Sequence, residues 1–219
     1  MNDVSQPSKD LHAIKQYMEK SSRFISLSGL SGISAGICAL IGAFLAYPYI
    51  QGTKENLMDA NGALVLAINE SYLIIFYTWI FWIAMGTFVA ALLTSFIFTY
   101  RKSKRQQLPI WGTTARRMLF NLAIPLAVGA AFLFRMLYFD AYALLAPGCL
   151  LFYGLSLLNA SKYTLQEIRW LGISQIIVGL INLIYLDYGI YFWAFGFGIL
   201  HILYGSYMWW KYERNEESE

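Results

Sequence analysis

Four polar residues lie within long apolar runs of the chain: Arg135, Gln175, Asn182 and His201. Such side chains are costly in hydrocarbon, so each one marks either a tie between helices or a site. Arg135 offers a charge to an anionic ligand, or it snorkels towards the interface and pairs with Asp140, Asp187 or Glu70. His201 offers an acid, a base or an interhelical hydrogen bond. Gln175 and Asn182 are seven residues apart and share one helix face, and Gln175 is placed to meet His201 across a helical hairpin. Glu167 is a further acid–base candidate, but it falls where a helix begins, a place the helix dipole already favours for an acid.

The chemistry this set supports is narrow. There is no HExxH, nucleophile elbow, phosphate loop or dinucleotide fingerprint. The two histidines, His12 and His201, fall in different parts of the chain, so one copy cannot build a histidine-based metal centre. Cys38 and Cys149 both lie in apolar runs and read as packing residues. No catalytic residue, metal site or cofactor is therefore predicted. Acidic residues, usual in ion-coupled transport, do not interrupt the apolar runs.

The elements that carry these residues are membrane helices. Hydrophobic residues make up 58% of the chain and charged residues 13%, against about 25% charged in ordinary soluble domains. The expected architecture is an all-α integral membrane protein with six transmembrane helices, over residues 24–50, 72–100, 118–138, 141–159, 170–186 and 188–210. Residues 1–23 form a cytoplasmic or interfacial segment, with a short amphipathic helix suggested by Leu11, Ile14 and Met18 among Lys9, Lys15 and Lys20. Residues 211–219 form a charged tail. Span one is expected to end near Pro48, with a polar loop over 51–71. Span one also has small residues in rows four apart, Ser28, Gly32 and Gly36 in one and Ala35 and Ala39 in the other, which suit close helix packing in lipid.

Charge sets the expected orientation. Arg101, Lys102, Lys104, Arg105, Arg116 and Arg117 cluster between spans two and three, as a topology signal and a patch for anionic headgroups. Fourteen of the sixteen basic residues fall on one side of a six-span topology, and only Lys54 and Arg135 on the other. Both termini are then cytoplasmic, in a bacterial inner membrane. With no folded basic domain or aromatic platform, nucleic acid is not an expected partner. The expected partners are the lipid bilayer and either a second copy or another membrane protein. Weak echoes between spans three–four and five–six, such as Tyr153-Gly154 with Tyr204-Gly205, suggest duplicated hairpins.

The run Lys20-Ser21-Ser22-Arg23-Phe24-Ile25-Ser26-Leu27-Ser28-Gly29-Leu30-Ser31-Gly32 resembles the opening of a family of small membrane proteins from Bacteroidota. Glu167-Ile168-Arg169-Trp170-Leu171-Gly172 and the closing Gly196-Phe197-Gly198 through His201 to Tyr204-Gly205 are similar to that family too. The resemblance covers nearly the whole chain. It implies a six-span inner-membrane protein and adds no site residue. Some family members are labelled beta-carotene monooxygenase, an activity that in membrane enzymes depends on several metal-binding histidines; this chain has two.

Three functions remain open on these grounds. The first is a non-enzymatic sensor, adaptor or assembly component. The second is a small-molecule or lipid binder or transporter, with a cavity lined by Arg135, Gln175, Asn182 and His201. The third is a lipid- or isoprenoid-modifying enzyme using His201 or Glu167.

Overall fold

The computed structural model describes residues 27–56, 79–106, 111–139 and 141–214, with side chains described outside 51–56. The amphipathic helix expected over 9–22 and most of the loop over 51–71 lie outside these residues. The described chain is helical throughout its regular elements: α1 (Gly29–Asn56), α2 (Trp79–Arg105), α3 (Thr113–Tyr138), α4 (Leu145–Ala160), α5 (Gln166–Ile184), α6 (Gly189–Trp193) and α7 (His201–Tyr212). Ala194–Leu200 is a π-helical turn that joins α6 to α7. Among the described residues, six segments are long and apolar enough to cross a membrane, the sixth being Leu186–Tyr212.

Several boundaries move from their expected places. Pro48 lies inside α1 rather than ending it, and the helix runs on to Asn56. Proline removes one backbone hydrogen bond, which a helix tolerates when the bonds around it persist. α2 continues to Arg105 and α3 starts at Thr113, so all six basic residues expected in the central loop are helical. Lysine and arginine at a helix C-terminus complement its dipole, which favours this extension of α2.

The helices pack as a row. α2 lies against α1, α1 against α7 and the π turn, the sixth segment against α4 and α5, and α3 against α4. The apolar core sits among the last three segments, where Leu150, Leu157, Leu171, Val178, Leu200 and Met208 are buried together. α2 and α3 flank the row; 0% of the apolar window of α2 and 6% of that of α3 is buried.

Glycine sets the closest approaches. A Cβ added to Gly154 would lie 2.7 Å from the Gly172 carbonyl oxygen, and one at Gly172 would lie 2.8 Å from that of Gly154. α4 and α5 therefore cross backbone to backbone. α1 and α7 do the same: a Cβ at Gly205 would meet Gly29 O and Ile33 N at 2.7 Å each. Without a hydrophobic drive between helices in lipid, such dispersion contact is a main source of association. The Tyr153-Gly154 and Tyr204-Gly205 pairs thus each sit at a close crossing, with different partner helices.

α1 meets a different neighbour on each of two faces. Gly32 and Gly36 face the sixth segment, where an added Cβ would meet Gly205 Cα at 3.1 Å and Gly198 O at 2.6 Å respectively. On the other side, Ser95 donates to Ser31 O at 3.1 Å and Cys38 Sγ lies 4.0 Å from Thr94 Oγ1, both on α2. Ala35 and Ala39 fall between these faces, Ala39 buried and Ala35 half-buried. Ser28 departs from its expected row: it immediately precedes the helix, and its hydroxyl donates to Glu213 Oε2 at 3.1 Å.

Candidate functional site

Two polar clusters hold the bundle, one within the apolar core and one at an end. The core cluster is built by α4, α5, the π turn and the first residue of α7. Gln175 is completely buried and its Nε2 donates to Gly196 O at 2.7 Å. His201 Nδ1 lies 3.1 Å from the same carbonyl, and its Nε2 lies 2.8 Å from the Tyr153 hydroxyl. A carbonyl only accepts, so Nδ1 carries the proton, and Nε2 accepts from Tyr153. Gln175 Nε2 and His201 Nδ1, 3.4 Å apart, are then two donors converging on one carbonyl. The Phe197 ring stacks on His201, with ring centroids 6.0 Å apart.

Gly196 is needed here for space. A Cβ on it would lie 2.6 Å from Gln175 Oε1 and closer still to Leu150 Cδ2. Gln175 Oε1 therefore rests against the Gly196 α-carbon, and it has no conventional donor among the described residues. The π turn rings each hydrogen bond with one residue more than an α turn does. It brings the Gly196 carbonyl to both side chains at once.

The other sequence candidates do not join this cluster. Asn182 is completely buried two turns along α5, where its Nδ2 donates to Tyr185 O at 3.0 Å and fastens the turn leading to the sixth segment. Arg135 lies on the exposed face of α3, its guanidinium carbon 4.4 Å from the ring centroids of both Tyr138 and Phe139. That is a cation–π stack at a helix end. Asp140 and Glu70, named as its partners, lie outside the described residues. Among the described residues no group of three metal-ligating side chains converges. Two surface depressions lie elsewhere, one lined by Leu30, Ile33, Tyr207 and Trp210 among others, the other at the end of α2.

The end cluster gathers the start of α1 and the ends of α2 and α7. Glu213 Oε1 accepts from Gly29 N at 2.6 Å, so a carboxylate from the far end of the chain caps α1. Lys102 Nζ reaches the same oxygen at 3.2 Å and Leu27 O at 2.8 Å. Within the basic set, the Lys102 side chain turns inward, where a buried carboxylate and an open carbonyl compensate its charge. Arg101, Lys104, Arg105, Arg116 and Arg117 remain exposed. A neighbouring ion pair joins α7 to the start of α5. Lys211 Nζ lies 2.6 Å from Glu167 Oε1, which Tyr212 also bonds at 3.0 Å. Asn159 Nδ2 donates to Asn121 O at 2.9 Å and ties α4 to α3 at this same end.

Sequence reasoning passed over Glu213 and the role of Tyr153. An acid following Lys211-Tyr212 at the close of a span was the available signal for Glu213. Gly196 and Gly198, two apart in an otherwise bulky helix, were the signal for an irregular turn. No family model, curated protein or solved structure matches the chain.

Proposed function

We propose that this chain is a non-enzymatic multi-pass protein of a bacterial inner membrane, acting as an adaptor or assembly component, with both termini cytoplasmic. The Bacteroidota family resemblance belongs to the same reading. One observation carries it: both ring nitrogens of His201 are committed to protein partners, Nε2 to Tyr153 and Nδ1 to Gly196. A metal or ligand bound by His201 would have to displace one of these protein partners. Glu167 Oε1 is held by Lys211 and Tyr212, while its Oε2 is buried with no hydrogen-bond partner among the described residues. Gln175 and His201 thus serve helix–helix contact, as expected where hydrogen bonds join helices in lipid, whereas Asn182 and Arg135 act locally.

The orientation rests on charge. The basic ends of α2 and α7 share one end of the bundle through the Lys102–Glu213 and Lys211–Glu167 pairs, the first part of α3 is tied to that end by the Asn159–Asn121 bond, and we assign it to the cytoplasm by the positive-inside rule. The flanking helices supply the docking surface, since α2 and α3 each leave a long apolar face without a protein neighbour among the described residues.

The test is site-specific photocrosslinking in native membranes, one position at a time along α2 and α3. A probe replacing Phe88, Leu92 or Phe96 of α2, or Phe120 or Ile124 of α3, reports on these faces. Discrete protein adducts recurring every three or four residues on one helix face support an adaptor. Lipid-sized adducts at every position would overturn it.

A further inference from the structure

The cations at the end of α2 divide into two groups. Lys102 and Ser103 turn towards the bundle, Lys102 to Glu213 and Leu27 O. Arg101, Lys104 and Arg105 turn outward and line a surface depression of about 450 Å³ together with Phe96, Ile97 and Tyr100. The Phe96 and Tyr100 rings lie 6.2 Å apart along it. Its composition changes along the helix, with aromatic and aliphatic residues before Tyr100 and three cations after it. From Phe96 to Arg105 the helix rises roughly 13 Å, at about 1.5 Å per residue.

We propose that this depression binds one anionic glycerophospholipid, with the phosphate held by Arg101, Lys104 and Arg105 and an acyl chain laid along Phe96 and Ile97. The order of its lining matches that ligand. A phospholipid presents an anion and a hydrocarbon chain one above the other along the membrane normal, and the stripe does so in complement. An acidic peptide in water would call for the cations without the apolar half. Arginine suits phosphate because its planar fork donates two hydrogen bonds side by side. A basic residue at the surface of an anionic leaflet contributes about fivefold in binding. The depression gives these contributions a fixed position, and the inward Lys102 leaves the stripe's direction set by the bundle. The site goes beyond the adaptor reading and stands without it.

The test is native mass spectrometry of the detergent-purified full chain titrated with phosphatidylglycerol or phosphatidylcholine. The unaltered protein is expected to retain a single phosphatidylglycerol at concentrations where phosphatidylcholine leaves no saturable adduct. R101Q, K104Q and R105Q should each weaken retention about fivefold, and the triple variant by about a hundredfold. K162Q/R169Q removes exposed charge near the α4–α5 link and should leave retention unchanged. Helical circular dichroism and the single variants keep the comparison valid should the triple variant misfold. Equal weakening in K162Q/R169Q would reduce the site to a diffuse field and overturn the proposal. Equal retention of phosphatidylcholine, or displacement of the lipid by millimolar inorganic phosphate, would overturn it as well.

Discussion

At the α1–α7 and α4–α5 crossings, the atoms an added Cβ would meet are backbone atoms, Gly29 O and Ile33 N above Gly205 and the reciprocal carbonyls of Gly154 and Gly172. At the contacts of the flanking helices they are side chains, Thr87 above Gly42 on the α1–α2 side and Leu133 above Gly148 on the α3–α4 side. Backbone cannot rotate out of the way, whereas the far end of leucine can. The inner crossings are therefore fixed in register, and among the flanking contacts the one at Gly148 can adjust, whereas a Cβ added to Gly129 of α3 would meet Phe152 Cβ at 2.5 Å. Polar groups fasten both sets of helices: the His201 cluster joins inner ones, Glu213 caps α1 and holds α2 through Lys102, and Asn159 holds α3, while the apolar faces of α2 and α3 are left outward.

Breaking this contrast begins with G205L. Its side chain would have to displace two backbone atoms of α1, so a loss of about 3 kcal/mol or more is expected, read as a fall in the thermal unfolding midpoint in detergent. A variant that unfolds with the unaltered protein would remove the distinction between the two kinds of crossing. Next is E213A, which uncaps α1 and leaves Lys102 buried without its carboxylate, with an expected loss of about 3 kcal/mol. Double substitution K102M/E213M should cost less than the sum of the single changes, and additivity would show that the pair is not coupled.

Y153F probes the core cluster more gently. It removes the donor to His201 Nε2, at a cost of about 1 kcal/mol, in the range of interhelical hydrogen bonds in lipid. An unfolding midpoint equal to that of the unaltered protein would mean that this bond contributes nothing. The smallest effects belong to the flanks. G148A meets only the end of the Leu133 side chain and should cost under about 1 kcal/mol. Gly86 has nothing within 4 Å of an added Cβ, so G86A should be neutral or raise stability by up to about 1 kcal/mol through helix propensity. A large loss in G86A would reveal a neighbour on the outer face of α2 and sharpen the assembly reading.

Gln175 and His201 were legible as a pair because one hairpin brings them together, and both were conspicuous in apolar surroundings. Asn182 and Arg135 were equally conspicuous, yet each works locally, one bonding a turn carbonyl three residues on and the other stacking on adjacent rings. A polar residue in an apolar run signals that a partner exists without saying which. Tyr153 gave no such signal, since an aromatic residue in a span also fits simple packing.

The sequence by itself determined the six apolar segments and the basic character of one end. Both follow from transfer costs that each residue carries wherever its neighbours are, about 20 apolar residues being enough to cross hydrocarbon. It also determined that α1 would pack closely, because the absence of side-chain bulk is a local property. The neighbours of each helix, the inward turn of Lys102 and the links from Tyr153 to His201 and from Ser28 to Glu213 came only with folding. Those contacts join residues 48 and 185 positions apart. Their distances depend on where glycine lets the backbones cross, and a crossing belongs to two helices at once.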